Sequence, residues 1–296
     1  MSAFPMMVRA FALACLLGPA LHAPSAAAET WATCTGYIAS VPAVVSSQGT
    51  WCLSKDLGTA ASTGAAITVA SNNVTIDCNG YKLGNLAAGA STLATGILSD
   101  ARRNVTLRNC HIRGFATGIH LTGAVSPQVT SSGHVVEDLL VEGSTMQGIV
   151  VKGRDSVIRR TRVLDIGANP QLKPVAGIAA IGTVDVVDNL VDGVVSAPGS
   201  IGPTWGIYAE GVDGILIARN RVRDFLPASG FGYGIFYVGT EGTMASIRGN
   251  AIFRTDTNTL WIRCTPGYLA MARDNAAMGW TSGSSNCYEF EEIETW

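Results

Sequence analysis

Gly177-Ile-Ala-Ala-Ile-Gly-Thr-Val-Asp-Val-Val-Asp-Asn-Leu-Val191 and Gly206-Ile-Tyr-Ala-Glu-Gly-Val-Asp-Gly-Ile-Leu-Ile-Ala-Arg-Asn-Arg-Val222 are two statements of one phrase. A Gly-Ile pair opens it, an apolar alternation follows, and an Asn precedes a last apolar residue. Gly-Ile opens the phrase at Gly96, Gly118, Gly148, Gly177, Gly206 and Gly234, with spacings of 22, 30, 29, 29 and 28 residues. A period in this range marks a stacked repeat, in which each unit buries its apolar face only against its neighbours. Alternation with period 2 makes each phrase a set of short strands, with Ile inward and the following residue outward. Three short strands joined by turns, and no helical periodicity long enough for βαβ units, predict an all-β fold. The expected architecture is a single-stranded parallel β-helix of about eight to nine coils.

The residue at the corner before each third strand is Cys110, Leu139, Thr161, Asn189, Asn220 and Asn250, with Asn275 continuing the series. Asn side chains at one place in successive coils can stack their amides at the roughly 4.8 Å strand spacing, each donating to the next. That is a structural role, and loss of one Asn is expected to cost about 1–2 kcal/mol.

Composition agrees with a tightly turned, exported chain. The 296 residues are 47% hydrophobic and 14% charged, below the usual charged share of about 25%. There are 34 Gly, which fits many turns. A net charge of −2 gives no reason to expect nucleic acid or an anionic membrane as partner. Residues 1–28 read as a signal peptide: Arg9, an apolar run from Ala10 to Leu21, then Ala26-Ala-Ala28 before Glu29. The run is too short to span a bilayer. Cys15 suggests a lipoprotein box, but Ala12 stands where such boxes carry Leu. The chain is therefore expected to be exported: periplasmic, secreted or on the cell surface.

Cys34, Cys52, Cys78, Cys110, Cys264 and Cys287 remain after such cleavage. An even number in an exported chain favours disulfides, and no pair has C-x-x-C spacing for zinc. Sequential pairing (34–52, 78–110, 264–287) is preferred, with two free buried thiols in neighbouring coils as the alternative for 78 and 110. Residues 29–50 are read as an N-terminal cap, 51–277 as the β-helix and 278–296 as a C-terminal cap or tail, because open ends of a stack need covering.

Trp51-Cys-Leu53, Val74-Thr-Ile-Asp-Cys-Asn-Gly-Tyr-Lys-Leu-Gly84 and the Gly-Ile coils together resemble right-handed parallel β-helix proteins of the pectin-lyase-like superfamily. The resemblance covers about residues 50–280. It implies the fold and leaves the activity open, since the superfamily includes polysaccharide lyases, glycoside hydrolases, epimerases, phage tailspikes and surface proteins. The Asn-Thr-Asp, Asp-Asp and Gly-His-Gly set of polygalacturonases, the Trp-x-Asp-His of pectate lyases and the Asp-Pro-His of alginate epimerases are missing.

Function is expected where the loops lengthen. Asp165 to Ala176, Gly193 to Trp205 and Asp224 to Tyr233 arise in successive coils and should form a wall beside the Gly-Ile strands. The outward column is read as His120, Val150, Ala179, Tyr208, Phe236 and then Trp261. With Trp205 these rings could form a sugar platform, or the loops could fold over and bury them. Asp165, Asp192, Glu210 and Asp224 are the candidate acids, against ordinary turn chemistry for the three aspartates. Arg221 and Arg223 are candidate bases or anion binders, against simple Arg–Asp pairing such as Arg223 with Asp192. His111 and His120 are weaker acid–base candidates, and His134 is read as lying in a polar loop. No metal site or cofactor is expected, save Ca2+ if the protein is a lyase. The expected partner is a polysaccharide, acidic or neutral, bound in a groove on coils 165–263. Two functions follow: an exported glycan-binding or scaffold protein, or a polysaccharide-degrading enzyme, lyase before hydrolase, in the same groove.

Overall fold

Ile97, Ile119, Ile149, Ile178, Ile207, Ile235 and Ile262 stand in direct register, each 0–4% exposed, down the middle of one parallel sheet. The computed structural model describes residues 34–167, 169–170, 174–211, 214–239, 243–253, 259–266, 269–278 and 286–289. All belong to one unit, 33–296. Among them the only helix is the short 3-10 turn Leu86–Ala88.

Every coil contributes strands to three columns. The first column includes Thr95–Asp100, Thr117–Thr122, Thr204–Gly211, Gly232–Val238 and Thr259–Cys264. The second includes Val105–Arg108, Val135–Glu137, Ile215–Ala218, Met244–Arg248 and Leu269–Arg273. The third runs through nine strands, among them His111–Arg113, Leu140–Glu142, Arg162–Gly167, Leu190–Val195, Arg221–Leu226, Ala251–Phe253 and Ala276–Met278. In the two middle coils, Gln147–Arg159 and Val175–Val187 each run through the first and second columns as one strand. The expected parallel β-helix is therefore the observed fold. The inward residues of the second column (Leu107, Val136, Ile158, Val186, Ile217, Ile247) and of the third (Ile112, Val141, Val163, Val191, Val222, Ile252) close one continuous core with the isoleucines.

The glycine of each first-column Gly-Ile pair is required by close approach. A Cβ on Gly206 would lie 2.3 Å from Val222 Cγ1 and 2.6 Å from the Gly234 carbonyl oxygen, and one on Gly177 would lie 2.5 Å from Val191 Cγ1. The third-column valine fills the space a side chain would take, so the first strand can enter the core at an acute corner.

The opposite corner works differently. Asn109, Asp138, Arg160, Asp188, Arg219, Gly249 and Asp274 all have φ between 49° and 62° and turn the chain just before the third strand. The left-handed conformation suits Gly, Asn and Asp and is costly for Arg. Arg160 and Arg219 point along the stack onto carboxylates: Arg160 Nε donates to Asp138 Oδ1 at 2.9 Å and Arg219 Nε to Asp188 Oδ1 at 2.7 Å. Those bonds hold the Asp138 and Asp188 carboxyls below the usual range.

Behind them lies the ladder. Asn189 Nδ2 donates to Asn220 Oδ1 (3.0 Å), Asn220 to Asn250 (3.0 Å) and Asn250 to Asn275 (2.9 Å). Each Nδ2 also donates to a carbonyl of the preceding coil, Ile158, Val186 or Ile217. Each Oδ1 also accepts the backbone N–H of the preceding corner residue, beginning with Thr161 on Asn189. The buried side-chain amide thus replaces backbone pairing where the sheets part.

Cysteines pair as Cys34–Cys52, Cys78–Cys110 and Cys264–Cys287, with Cα separations of 5.8, 4.7 and 5.1 Å. Cys110 heads the ladder column, so the second bridge ties two successive corners covalently where the Asn series has not begun. The stack starts earlier than residue 51. Gly36–Ile38 pairs with Trp51–Leu53, and Ala43–Val45 pairs with Ile67–Val69, so much of the segment read as a cap is already coil. At the other end Tyr288–Glu289 pairs with Met271–Ala272. The segment 1–28, residues 29–33 and most of the tail lie outside the described residues.

His134 is buried rather than lying in a polar loop. It is 1% exposed, its Nδ1 accepts from the Val105 N–H at 3.4 Å, and its Nε2 lies 2.8 Å from Ser131 Oγ. A backbone N–H can only donate, so the ring carries its proton on Nε2. Burial pushes its pKa down to about 4. The folded value lies below the unfolded one, so the stability it lends is complete above about pH 6.5 and drains away as pH falls towards 4. The full effect is about 3 kcal/mol. His120, also held low by burial against the opposing pull of Asp100, acts in the same direction. Urea unfolding at pH 7 and at pH 4 should show this loss in the natural chain and a much smaller one in His134→Gln. Equal losses would remove His134 from the acid response.

Candidate functional site

The outward positions of the first column form the face on which a ligand could lie. Directly after the isoleucines run Leu98, His120, Val150, Ala179, Tyr208, Phe236 and Arg263, in register. Just before the glycines run Thr117, Gln147, Ala176, Trp205 and Tyr233, with Leu260 next in register. Small residues therefore give way to rings where the loops are long.

Trp205 and Tyr208 have ring centroids 5.0 Å apart, Tyr208 and Phe236 6.1 Å, Phe236 and Tyr233 5.0 Å and nearly parallel, and Tyr233 and Phe231 6.3 Å. These five rings make a continuous strip. Trp205, Tyr208 and Phe236 are half-buried, Tyr233 is buried, and Phe231 is 58% exposed at the loop edge. Trp205 and Tyr208 lean on Val150, Ala176 and Ala179, a small apolar cluster separate from the main core. The loops neither cover the rings fully nor leave them free.

Trp261 does not belong to this strip. Ile262 aligns with Ile235 and Arg263 with Phe236, which sets Trp261 in line with Gly234 and against the core. The expectation that Trp261 continues the outward column is corrected by one position in register. Arg263 occupies that place, its guanidinium 5.8 Å from the centre of the Tyr233 ring. Tyr233, Phe231 and Arg263 were missed in the sequence. Tyr233 was legible there, standing before Gly234 as Trp205 stands before Gly206.

The acids divide. Glu210 shares the ring face, and its Oε2 accepts the Tyr208 hydroxyl at 2.9 Å. Burial, then this carboxylate, push the Tyr208 hydroxyl pKa well above the tyrosine norm. Asp165 and Asp224 stand on the third column with φ of 54° and 50°, in line with Gly143 and Gly193. They turn the strand rather than face the rings. Asp192, also on the third column, pairs with Arg223, whose pKa it raises. Arg221 lies on the same column over the Phe253 ring at 5.0 Å. The structure thus brings together Trp205, Tyr208, Phe236 and Glu210, and leaves Asp165, Asp192, Asp224, Arg221 and Arg223 on another column of the coil. Of the weaker candidates, His111 pairs with Glu142 at 2.9 Å.

Because third strands extend to Gly167, Val195 and Leu226, the loops are shorter than the sequence suggested and brace one another. The Thr204 N–H donates to the Phe231 carbonyl at 3.2 Å, and the Ala228 N–H to Ser196 Oγ at 3.2 Å. Among the described residues no three His, Cys, Asp or Glu side chains gather as a metal site, and no helix is long and apolar enough to cross a membrane.

No family model matches the chain, and no curated protein matches it. Solved structures do. The enzymatically active domain of tailspike protein 2 of bacteriophage CBA120 aligns with a TM-score of 0.50 at 16% identity, over 84% of this chain and 42% of its own. The chain thus spans less than half the length of that domain. An alginate lyase from Paenibacillus sp. str. FPU-7 gives 0.44 at 12% identity, over 86% and 99% of the two chains. The A-module of the mannuronan C-5 epimerase AlgE6 of Azotobacter vinelandii gives 0.36 at 12% identity, over 88% and 92%. With three parallel columns, an inward isoleucine row and an Asn-stacked corner, the chain has a parallel β-helix fold, and that fold is similar to the tailspike domain's.

Proposed function

We propose that the protein is an exported polysaccharide-binding β-helix whose binding face is the ring strip of the first column. The observation that carries this reading is the unbroken series Trp205, Tyr208, Phe236, Tyr233 and Phe231 at centroid spacings of 5.0–6.3 Å on one face. Ring faces pack on the apolar faces of pyranoses. Coils about 4.8 Å apart place successive rings within reach of successive sugars. Glu210, already accepting from Tyr208, can also accept sugar hydroxyls at the margin. Export is supported by three disulfides, which persist in oxidising compartments.

The second reading is a polysaccharide-degrading enzyme on the same face. Glycoside hydrolysis ordinarily needs two carboxylates flanking the bond. In the coils that carry the rings, Glu210 is the one described carboxylate on the face, and this favours binding. The enzymatic reading is kept by the tailspike match, which is an enzymatically active domain.

The test is affinity electrophoresis through gels containing neutral or uronate polysaccharides. Retardation of the natural chain by at least one polymer is expected, and its loss in Tyr208→Ala/Phe236→Ala, with a melting temperature lowered by only a few degrees, about 4–8 °C. A collapse of stability with retardation unchanged would make the rings structural. New unsaturated or reducing ends in the incubated polymer would establish the enzyme instead.

A further inference from the structure

The third column carries a row of cations without counter-charges. At the first outward place of successive third strands stand Lys82, His111, Leu140, Arg162, Leu190, Arg221, Ala251 and Ala276, in direct register. The row holds no acid. Lys82, Arg162 and Arg221 are exposed, and Leu140 and Leu190 are half-buried. Carboxylates border the row, but each is engaged elsewhere. Glu142 pairs with His111 and Arg113, Asp192 with Arg223, Asp138 with Arg160 and Asp188 with Arg219. Among the described residues, none of Lys82, Arg162 and Arg221 makes an ion pair. Arg221 has the Phe253 ring for a neighbour, 5.0 Å from its guanidinium. An exposed guanidinium without a carboxylate is a ready partner for an anion.

The spacing of the row selects the kind of anion. Arg162 and Arg221 stand two coils apart with Leu190 between them, so their strands are separated by about 9.6 Å, twice the strand spacing. An extended acidic peptide brings side chains back to one face every 6.7 Å or about that, and a duplex strand sets its phosphates about 3.4 Å apart along the axis. A pyranose spans about one strand spacing, so a disaccharide spans two. We propose that the row Arg162–Leu190–Arg221 binds an acidic polysaccharide that runs along the stack and carries a carboxylate on alternate sugars. The two guanidiniums meet successive carboxylates, and the uncharged sugar between them lies on Leu190, an apolar seat between polar anchors. Leu140 repeats that seat on the other side of Arg162. This track lies on a different column from the ring strip and does not depend on it.

Affinity electrophoresis of the full chain through gels containing hyaluronan, in which a uronate alternates with an uncharged sugar, tests it. At low salt hyaluronan should retard the natural chain. Arg162→Gln/Arg221→Gln should weaken that binding about tenfold, as the loss of two exposed ion pairs of ordinary strength would. High salt should shrink the difference. The same loss is expected in a Tyr208→Ala/Phe236→Ala background, so the outcome is read apart from the ring strip. Because both arginines are exposed, their double variant should melt within about 2 °C of the natural chain. No retardation by hyaluronan, or equal retardation of the natural and arginine-variant chains, would overturn the proposal. So would polyglutamate that slows the natural chain as strongly and with the same need for Arg162 and Arg221, since that would assign the row to an acidic peptide.

Discussion

Ile207→Asp is expected to abolish cooperative folding. Ile207 is fully buried between Ile178 and Ile235, in register with both. Truncating such a side chain costs about 2–5 kcal/mol through lost transfer energy and the cavity left behind. The aspartate adds a carboxyl group with no cation beside it in the core, and an unpaired buried charge costs several kcal/mol more or forces protonation. Total stability of a domain is about 5–15 kcal/mol. Because each coil rests only on its neighbours, a gap at Ile207 severs the stack into two shorter ones, each with a raw apolar end. Circular dichroism melts of the natural chain and of Ile207→Asp would decide it. A sharp transition within about 5 °C of the natural one would place residue 207 outside the core and undo the register of the whole first column.

That register was readable because each column repeats a residue for a physical reason that recurs in every coil. Isoleucine is repeated because the inside is always apolar, and glycine because a third-column valine or isoleucine presses on it. Trp261 shows where such reasoning stops. Its carbonyl is the one that Gly234 approaches, 2.7 Å from where a Cβ would be. No further Gly-Ile pair follows in the sequence, the glycine requirement lapses, and Leu260-Trp-Ile262 no longer displays the register. For Asp165 and Asp224 the sequence offers two readings, an acid or a turn residue, and the fold shows the turn. They occupy the left-handed place that Gly143 and Gly193 fill in other coils, and the sheet resumes after them through Ile166, Val194 and Phe225. In the fold they are turn residues within a strand, not acids at a loop root. Which rings share the strip depends on how the loops rest on one another, through bonds such as Thr204 to Phe231, and those have no period to read. The burial of His134 is set in the same way, by contacts with Ser131, Val105 and Ser156 from separate segments.

Asn220→Ala should cost more than a single lost hydrogen bond. Asn220 is 1% exposed, and its side chain makes four bonds: Oδ1 accepts from the Asn189 backbone N–H and from Asn189 Nδ2, each at 3.0 Å, while Nδ2 donates to the Val186 carbonyl at 2.8 Å and to Asn250 Oδ1 at 3.0 Å. Alanine removes all four and offers nothing in return. The partners stay buried, and a buried donor left without an acceptor costs about 1–3 kcal/mol. Two such donors on Asn189 put the loss at about 3–5 kcal/mol, above the 1–2 kcal/mol that a lone amide contact suggests. Oxygens tolerate solitude better than N–H groups, so Val186 and Asn250 add less. The arrangement also predicts an order among variants. Asn220→Asp keeps both acceptor positions for Asn189 but brings a carboxylate to face Asn250 Oδ1, oxygen to oxygen. At neutral pH it should be at least as harmful as alanine, and it should recover as the carboxyl is protonated in acid. Urea unfolding at pH 7 and pH 4 would measure both. A loss below about 1 kcal/mol for Asn220→Ala would mean that water or a shifted corner replaces the amide, and the ladder would then be an accompaniment of the fold rather than one of its supports.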